Sequence, residues 1–194
     1  MIRVTEGKLH WNYYLALERD MEQVSRYIEF CEDNFPVYSI ELAHLLFAAA
    51  AEVDVVAKAL CKLLDHSAPR NTIEHYRALI PVHFPQFFDE KIFIPRYGLT
   101  LNPWENWGRD TSPLWWRSYN NVKHQRHEHF QEANLKNALN GLSALLVVIF
   151  YYYTQYITKE EMEVPIEKDV TKELEPQSIL LRLNDNYYDS HLIV

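Results

Sequence analysis

Residues 142–153, with the sequence LSALLVVIFYYY, form the most apolar stretch of the chain and decide the expected fold. About a dozen residues fall short of the roughly 20 that a helix needs to cross a bilayer. The stretch therefore predicts a buried core helix, over about residues 132–156, and no membrane span. Because this helix is apolar on nearly all sides in its second half, we expect other elements to surround it.

Two long helices are predicted before this stretch. Apolar residues recur at three- and four-residue steps from Tyr13 to Cys31, which indicates a helix over about residues 9–33. A second apolar stripe follows Ser39, a predicted N-cap, and ends near Asp65. The chain has only 4 glycines, which disfavours a β-sandwich and favours long helices with few connections.

Residues 70–112 are predicted to form an irregular insertion. A short helix capped by Asn71 or Thr72 extends to Ile80, and the prolines at 81, 85, 95 and 103 prevent a longer one. Strand-like residues on both sides of Gly98 indicate a small hairpin. The tryptophans are expected mainly to pack the insertion onto the helices, and some of them could also stack on bases. They are Trp104, Trp107, Trp115 and Trp116.

The predicted organisation is one helical domain over residues 1–156 and an acidic extension over residues 157–194. The net charge of −8 argues against general affinity for nucleic acid. The extension holds 9 acidic and 4 basic residues, so the other 156 residues carry only −3. We therefore expect a local basic site on the domain, which the extension covers. Residues 178–183 are predicted to form a strand or an extended arm.

Residues 114–130, LWWRSYNNVKHQRHEHF, contain the residues most suited to chemistry. Ser112 as N-cap and Pro113 at the first helical position predict a helix that runs to about Arg126. Arg117 and His124 lie seven residues apart, so they differ by only about 20° in direction around such a helix.

One side of this helix is predicted to be apolar, and the other polar. The apolar side carries Trp115, Tyr119 and Val122. The opposite side presents a guanidinium, two amides and an imidazole, and Glu128 continues it. We call this set the polar face; it consists of Arg117, Asn120, Asn121 and His124.

The polar face suits cleavage of RNA without a metal. Histidine is the residue type best suited to general base catalysis at neutral pH, and His124 can take the proton from a ribose 2′-hydroxyl. Arg117 can bind two oxygens of the phosphate while negative charge develops there. Asn120 or Asn121 would orient the phosphate or the imidazole. Lys123 and Arg126 are expected to add a positive rim that attracts the RNA backbone.

Arg117, six intervening residues and His124 resemble the R-x(4–6)-H motif of the HEPN superfamily. Residues 48–62, AAAAEVDVVAKALCK, resemble the long second helix of such proteins, with Glu52 and Lys58 at its acidic and lysine positions. The resemblance covers most of residues 9–156. One departure is Ser118, because active members often have Asn, Asp or His directly after the arginine.

The resemblance implies an all-α bundle of four to five main helices and a homodimer with the motif in its interface cleft. It also implies metal-independent RNA cleavage without a cofactor, with Arg117 and His124 as the catalytic residues and Glu52 in the binding site. Many members act as toxins or in defence against phage, so an antitoxin or another protein partner is expected. The absence of an apolar run after the N-terminal charges and the lack of a disulfide framework predict a cytoplasmic protein.

Two other interpretations remain open. In the first, the polar face binds RNA, a nucleotide or a protein without catalysis. In the second, histidines near the end of the helix bind a metal together with residues of the second helix. Candidate ligands for that metal are His124, His127, His129, Glu128, His44, Glu41 and Glu52. We predict no metal.

Overall fold

The computed structural model describes residues 7–162 and 164–188. Residues 1–6, 163 and 189–194 lie outside the described residues, and they include part of the predicted extension. The described chain is mostly helical, as predicted. Its helices are α1 (Leu9–Val24), α2 (Ile40–Leu64), α3 (Ile73–His83), α4 (Leu114–His129), α5 (Leu135–Glu161) and α6 (Glu167–Glu173). A two-stranded antiparallel sheet of β1 (Ile92–Ile94) and β2 (Leu99–Leu101) lies between α3 and α4.

Helix α5 forms the centre of the fold and packs along α2. All its residues from Gly141 to Tyr151 are buried. A Cβ added at Gly141 would lie 3.3 Å from Leu46 and 3.7 Å from Ala49, so small residues let the two helices approach closely. By length and composition α5 could cross a membrane, but 78% of its most apolar window is buried inside the fold. This burial is typical of the core helix of a soluble protein.

The ends of the long helices differ in part from the prediction. Ser39 caps α2 by accepting a hydrogen bond from the Leu42 amide at 3.1 Å, as expected. The predicted cap at Ser112 is wrong, because α4 begins at Leu114 and Pro113 occupies the N-cap position without a side-chain cap. The α4 amide of Arg117 still donates to the Pro113 carbonyl at 3.1 Å.

Helix α1 ends at Val24, nine residues before the predicted end at 33. No Gly or Pro marks this end. The Ser25 hydroxyl donates to the Glu22 carbonyl at 2.7 Å, and the chain then turns. The turn buries Phe30, which is 1% exposed and packs against Tyr97 with ring centroids 4.9 Å apart. Tertiary packing therefore overrides a helical pattern that continues in the sequence.

The insertion contains the predicted hairpin, with Ile92 paired to Leu101 and Ile94 to Leu99. Gly98 connects the strands with φ of 63°, a left-handed conformation that favours glycine. The tryptophans pack as expected: Trp104, Trp107 and Trp115 are at most 5% exposed. Indole hydrogen bonds from Trp104 to the Ala144 carbonyl (3.3 Å) and from Trp115 to the Pro103 carbonyl (2.8 Å) join the insertion to the helices.

The C-terminal segment, residues 164–188, packs into the same hydrophobic core as the helices. Its apolar side chains at 170, 174, 180, 181 and 183 are at most 3% exposed. Arg182 forms an antiparallel bridge with Phe93 of β1, through backbone hydrogen bonds of 2.8 and 2.9 Å. The predicted acidic extension is thus integrated with the domain over its described residues, and hydrophobic burial holds it there.

Glu18 of α1 anchors this segment. Its carboxylate is 1% exposed and accepts backbone hydrogen bonds from Ile179, Leu180 and Leu181 at 3.0 to 3.1 Å. The Ser178 hydroxyl also donates to it. One buried acid therefore satisfies three consecutive amides that are distant in the sequence.

A second buried acid, Glu90, joins the segment to α5. The hydroxyls of Tyr151 and Tyr187 both donate to its Oε1 at 2.5 Å. Burial raises the pKa of Glu90, and the hydrogen bonds from the two tyrosines offset this only in part. The folded protein therefore favours protonated Glu90 more than the unfolded chain does.

We expect the Glu90→Gln variant to gain stability relative to the wild type as the pH rises from about 4 to about 7. Because the pKa of Glu90 is raised by folding, its contribution is fully present in acid and is lost as the carboxyl ionises in the folded state. Glutamine keeps an acceptor for both tyrosines and does not titrate. Urea unfolding of both proteins at several pH values measures the effect, and a difference independent of pH would contradict it.

Candidate functional site

Helix α4 presents the polar face as the sequence predicts. Trp115 and Val122 are buried, while Arg117 and His124 are exposed. Asn120 and Asn121 are partly buried. The residues from 114 to 124 are helical, so Arg117 and His124 point in similar directions, roughly 10 Å apart along the axis. The amphipathic arrangement follows from anchoring one side of α4 on the core.

The helix is interrupted directly after His124. Gln125 has φ of −138° and ψ of 50°, outside the helical range, although the helix resumes to His129. The prediction that Glu128 continues the polar face is therefore wrong, because residues beyond Gln125 no longer follow its direction. The Glu128 carboxylate lies 3.4 Å from Nε2 of His127 instead.

Arg117 lies beside an open cavity of about 450 Å³, which we call the Arg117 cavity. Asn120 and Asn121 line it as well, together with Trp116 from α4 and Glu74 from the start of α3. Within residues 7–162 and 164–188, the Arg117 guanidinium has no hydrogen-bond or ion-pair partner. An exposed guanidinium without a partner is available for an anion.

Glu132 connects the polar face to the turn that follows α4. It lines the cavity and accepts hydrogen bonds from Nδ2 of Asn121 at 3.0 Å and from Nδ1 of His129 at 2.8 Å. Burial works to raise its pKa, but hydrogen bonds from Asn121, Ser118 and His129 outweigh this and lower it. Glu132 is therefore ionised at neutral pH and fixes the orientation of Asn121.

Ser118 is buried, at 9% exposure, on the side of α4 that faces Glu132. Its position in the sequence, directly after Arg117, is the one at which the chain departs from the HEPN pattern. The hydroxyl supports the Glu132 carboxylate and does not line up with the exposed part of the polar face. Ser118 still lines the Arg117 cavity, next to the two asparagines.

His124 is placed differently from Arg117. It is exposed, but it is not among the residues that line the Arg117 cavity. In the described part of the chain, no hydrogen bond orients its ring. The structure thus puts Arg117 and both asparagines around one cavity and leaves His124 outside it on the same side of the helix.

Lys123 and Arg126 contact aromatic rings on the side of α4 that faces α2. Lys123 donates to the Tyr119 hydroxyl at 3.2 Å, and the Arg126 guanidinium lies 5.5 Å from the centroid of the Phe47 ring. Both remain exposed. They contribute positive charge near the polar face without lining the cavity.

Glu52, the remaining predicted binding residue, contacts a different group. Its Oε1 lies 2.6 Å from Nδ1 of His10 on α1, and the His10 ring packs edge-on against Tyr152 of α5. Both carboxylate and imidazole are 15% exposed. Glu52 therefore joins α1 to α2, and the structure does not bring it to the Arg117 cavity.

No described residue of segment 164–188 lines the Arg117 cavity, so the structure does not support the expectation that the extension covers this site.

Among the described residues, no three His, Cys, Asp or Glu side chains lie close enough together to hold a metal ion.

The polar and aromatic residues of the cavity that the sequence does not place at this site include Glu74, Trp116 and Glu132. Glu74 and Glu132 come from elements outside α4, and their approach depends on tertiary structure that no local pattern encodes. For Trp116 the sequence favours packing over stacking on a base. Its half-buried position next to Arg117 is the signal that could have identified it.

In comparisons with known proteins, no family model matches this sequence, and no curated protein or solved structure is similar to it.

Proposed function

We propose that this protein is a metal-independent endoribonuclease of the HEPN type, acting in a toxin–antitoxin or phage-defence system. The observation that carries the proposal is Arg117, an exposed guanidinium without a partner in the described chain, beside an open cavity. His124 lies two helical turns further along the same side of α4. These are the two groups that the R-x(4–6)-H motif requires.

The proposed reaction is transesterification at phosphorus. The His124 imidazole takes the proton from the ribose 2′-hydroxyl, and the 2′-oxygen attacks the phosphorus atom. The bond to the 5′-oxygen breaks, and this oxygen receives a proton from a second imidazolium or from water. Arg117 stabilises the charge on the phosphate oxygens. The products are a 2′,3′-cyclic phosphate and a free 5′-hydroxyl.

The test is incubation of labelled single-stranded RNA with the full-length protein in EDTA. We expect cleavage products that end in 2′,3′-cyclic phosphate, identified by mass spectrometry, and their loss in His124→Ala. His127→Ala is the matched control, because His127 is an exposed histidine three residues away that, in the described part of the chain, forms an ion pair only with the neighbouring Glu128. Intact RNA with the wild type would reject the nuclease proposal.

A non-catalytic binding module is the second candidate. Two observations favour it: no described residue forms a hydrogen bond that orients the His124 ring, and His124 is not among the residues that line the cavity beside Arg117. In this alternative the polar face holds RNA, a nucleotide or a protein segment without turnover. RNA bound but not cleaved in the same assay would support it.

Dimerisation is part of the nuclease proposal, because one α4 helix presents only one histidine and one arginine to a cleft. Two copies that face each other across α4 would supply two of each. We therefore expect sedimentation velocity to give the mass of a dimer, about twice 23.1 kDa, at working concentration. A monomer that cleaves RNA would show that one chain is sufficient.

A further inference from the structure

The charge of the Arg117 cavity is not that of a phosphate site. Two carboxylates, Glu74 and Glu132, line it together with the single guanidinium. The pKa of Glu74 is lowered by hydrogen bonds from its own backbone amide and from Thr72, and the pKa of Glu132 is lowered too. With both carboxyls ionised, a phosphate inside the cavity would be repelled by two like charges.

The amide side chains add further acceptors. Nδ2 of Asn120 donates to the Trp116 carbonyl at 3.0 Å, and Nδ2 of Asn121 donates to Glu132 at 3.0 Å. Each amide thus uses at least one of its two N–H donors within the protein, and the side-chain oxygens of both have no partner among the described residues. Beside the Arg117 guanidinium and the hydroxyls of Ser112 and Ser118, the cavity thus offers two carboxylates and two amide oxygens as acceptors, which favours a ligand with N–H donors.

Trp116 supplies an aromatic surface at the same place. Its indole is half-buried and lines the cavity. The neighbouring rings of Trp115 and Tyr119 meet it at 89° and 54°, so neither is stacked in parallel on it. A flat ligand can stack on an aromatic ring of this kind, as bases of single-stranded RNA do.

We propose that the Arg117 cavity binds a nucleobase that carries an amino group, with guanine as the best match, while the phosphate of the same strand lies outside at Arg117. Guanine presents two adjacent donors, the ring N1–H and the exocyclic 2-amino group, which suit a carboxylate. Uracil presents one ring N–H between two carbonyls. Its two carbonyl oxygens would face the acceptors of the cavity. A volume of about 450 Å³ has room for a nucleoside.

The inference rests on the proposed function, since it assumes that the strand bound at α4 is RNA. It adds a preference for the base that the R-x(4–6)-H motif does not specify. It also explains why Arg117 and His124 need not line the same cavity: the base occupies the cavity, and the scissile phosphate lies at its mouth between the two side chains.

The test measures binding of labelled pentaribonucleotides by fluorescence anisotropy, with 2′-O-methyl groups to block cleavage. One central nucleoside, guanosine, inosine or uridine, is flanked by uridines. Inosine differs from guanosine only by the missing 2-amino group. We expect inosine and uridine to bind about tenfold more weakly, because a charged acceptor loses its donor. Glu74→Ala should reduce this preference, and Glu128→Ala, a carboxylate on α4 outside the cavity, should keep it.

The outcomes separate the two proposals. Equal binding of the three oligonucleotides overturns the base subsite and leaves the nuclease proposal intact. If no RNA binds, the nuclease proposal fails. An NMR titration of the protein with free guanosine and with inosine then tests whether the cavity binds a base. Guanosine that binds more tightly than inosine upholds an amino-base site, and absence of guanosine binding at millimolar concentration overturns it.

Discussion

Replacing Glu18 with alanine is expected to lower the free energy of unfolding by about 3–5 kcal/mol. The carboxylate is the acceptor for the amides of Leu180 and Leu181, which are both buried, and for the amide of Ile179. An unsatisfied buried donor costs about 1–3 kcal/mol, and alanine leaves at least two of them. The expected loss is a large part of the stability of a domain of this size.

The Glu18→Gln variant removes the negative charge of this side chain and keeps nearly the same shape. Glutamine retains one acceptor oxygen, but its amide nitrogen would face an N–H donor where the carboxylate has Oε2. We expect the free energy of unfolding of Glu18→Gln to lie between that of the wild type and that of Glu18→Ala. Urea unfolding followed by circular dichroism measures both variants.

Glu22→Ala is the matched control for Glu18, because it lies one turn further along α1 at the surface. Its carboxylate pairs with Arg96 at 2.6 Å, and the two side chains are 36% and 54% exposed. Exposed pairs contribute about 0–1 kcal/mol. Similar losses in Glu18→Ala and Glu22→Ala would show that the buried anchor of the C-terminal segment does not stabilise the fold.

The elements that could be predicted from the sequence are those with a local cause. The helical periodicity of residues 40–64, the N-cap at Ser39 and the apolar run in α5 each act over a few residues. The hairpin follows from strand-like residues around Gly98, whose φ of 63° suits glycine. In all of these cases, the residues that favour a conformation lie within or next to the element that adopts it.

The elements that could not be predicted depend on distant contacts. Glu18 meets the amides of residues 179–181 across about 160 positions, and nothing in the local pattern marks it as an anchor. Helix α1 ends at Val24 because Phe30 is buried against Tyr97. Glu52 faces His10 because α1 crosses α2 there. Sequence spacing carries no information about such pairings.

The candidate site shows the same division. The polar face of α4 was predicted from spacing, because residues on one helix have fixed relative directions. The cavity beside it was not, because Glu74 and Glu132 approach from α3 and from the turn before α5. The interruption at Gln125 has no Gly or Pro to signal it. Spacing on one helix thus identified candidate groups, and tertiary structure decided which of them share a cavity.

Arg117→Ala is expected to reduce RNA cleavage by about 10²–10³-fold, and His124→Ala by about 10²–10⁴-fold. The arginine effect comes from removing a preorganised cation where negative charge develops. The histidine effect comes from removing the base that accepts the 2′-hydroxyl proton. Neither side chain has a structural partner among the described residues, so both variants should retain the stability of the wild type.

Arg117→Lys distinguishes the geometry of the cation from its charge. A guanidinium can donate two parallel hydrogen bonds to a phosphate, whereas an ammonium acts as a point charge. We therefore expect lysine to restore only part of the lost rate, while binding of an uncleavable RNA changes less than the rate does. Rates measured under single-turnover conditions with saturating protein report the chemical step separately from binding.

The pattern of losses also tests which histidine is the base. His129 has a carboxylate partner, with Nδ1 2.8 Å from Glu132, and this contact fixes the ring as in many acid–base pairs. If His129→Ala abolished cleavage while His124→Ala left it unchanged, the base would lie beyond the interruption at Gln125 and the R-x(4–6)-H assignment would be wrong. We expect the reverse, because His124 lies on the same side of α4 as Arg117, and the ring of a base must be free to approach the ribose.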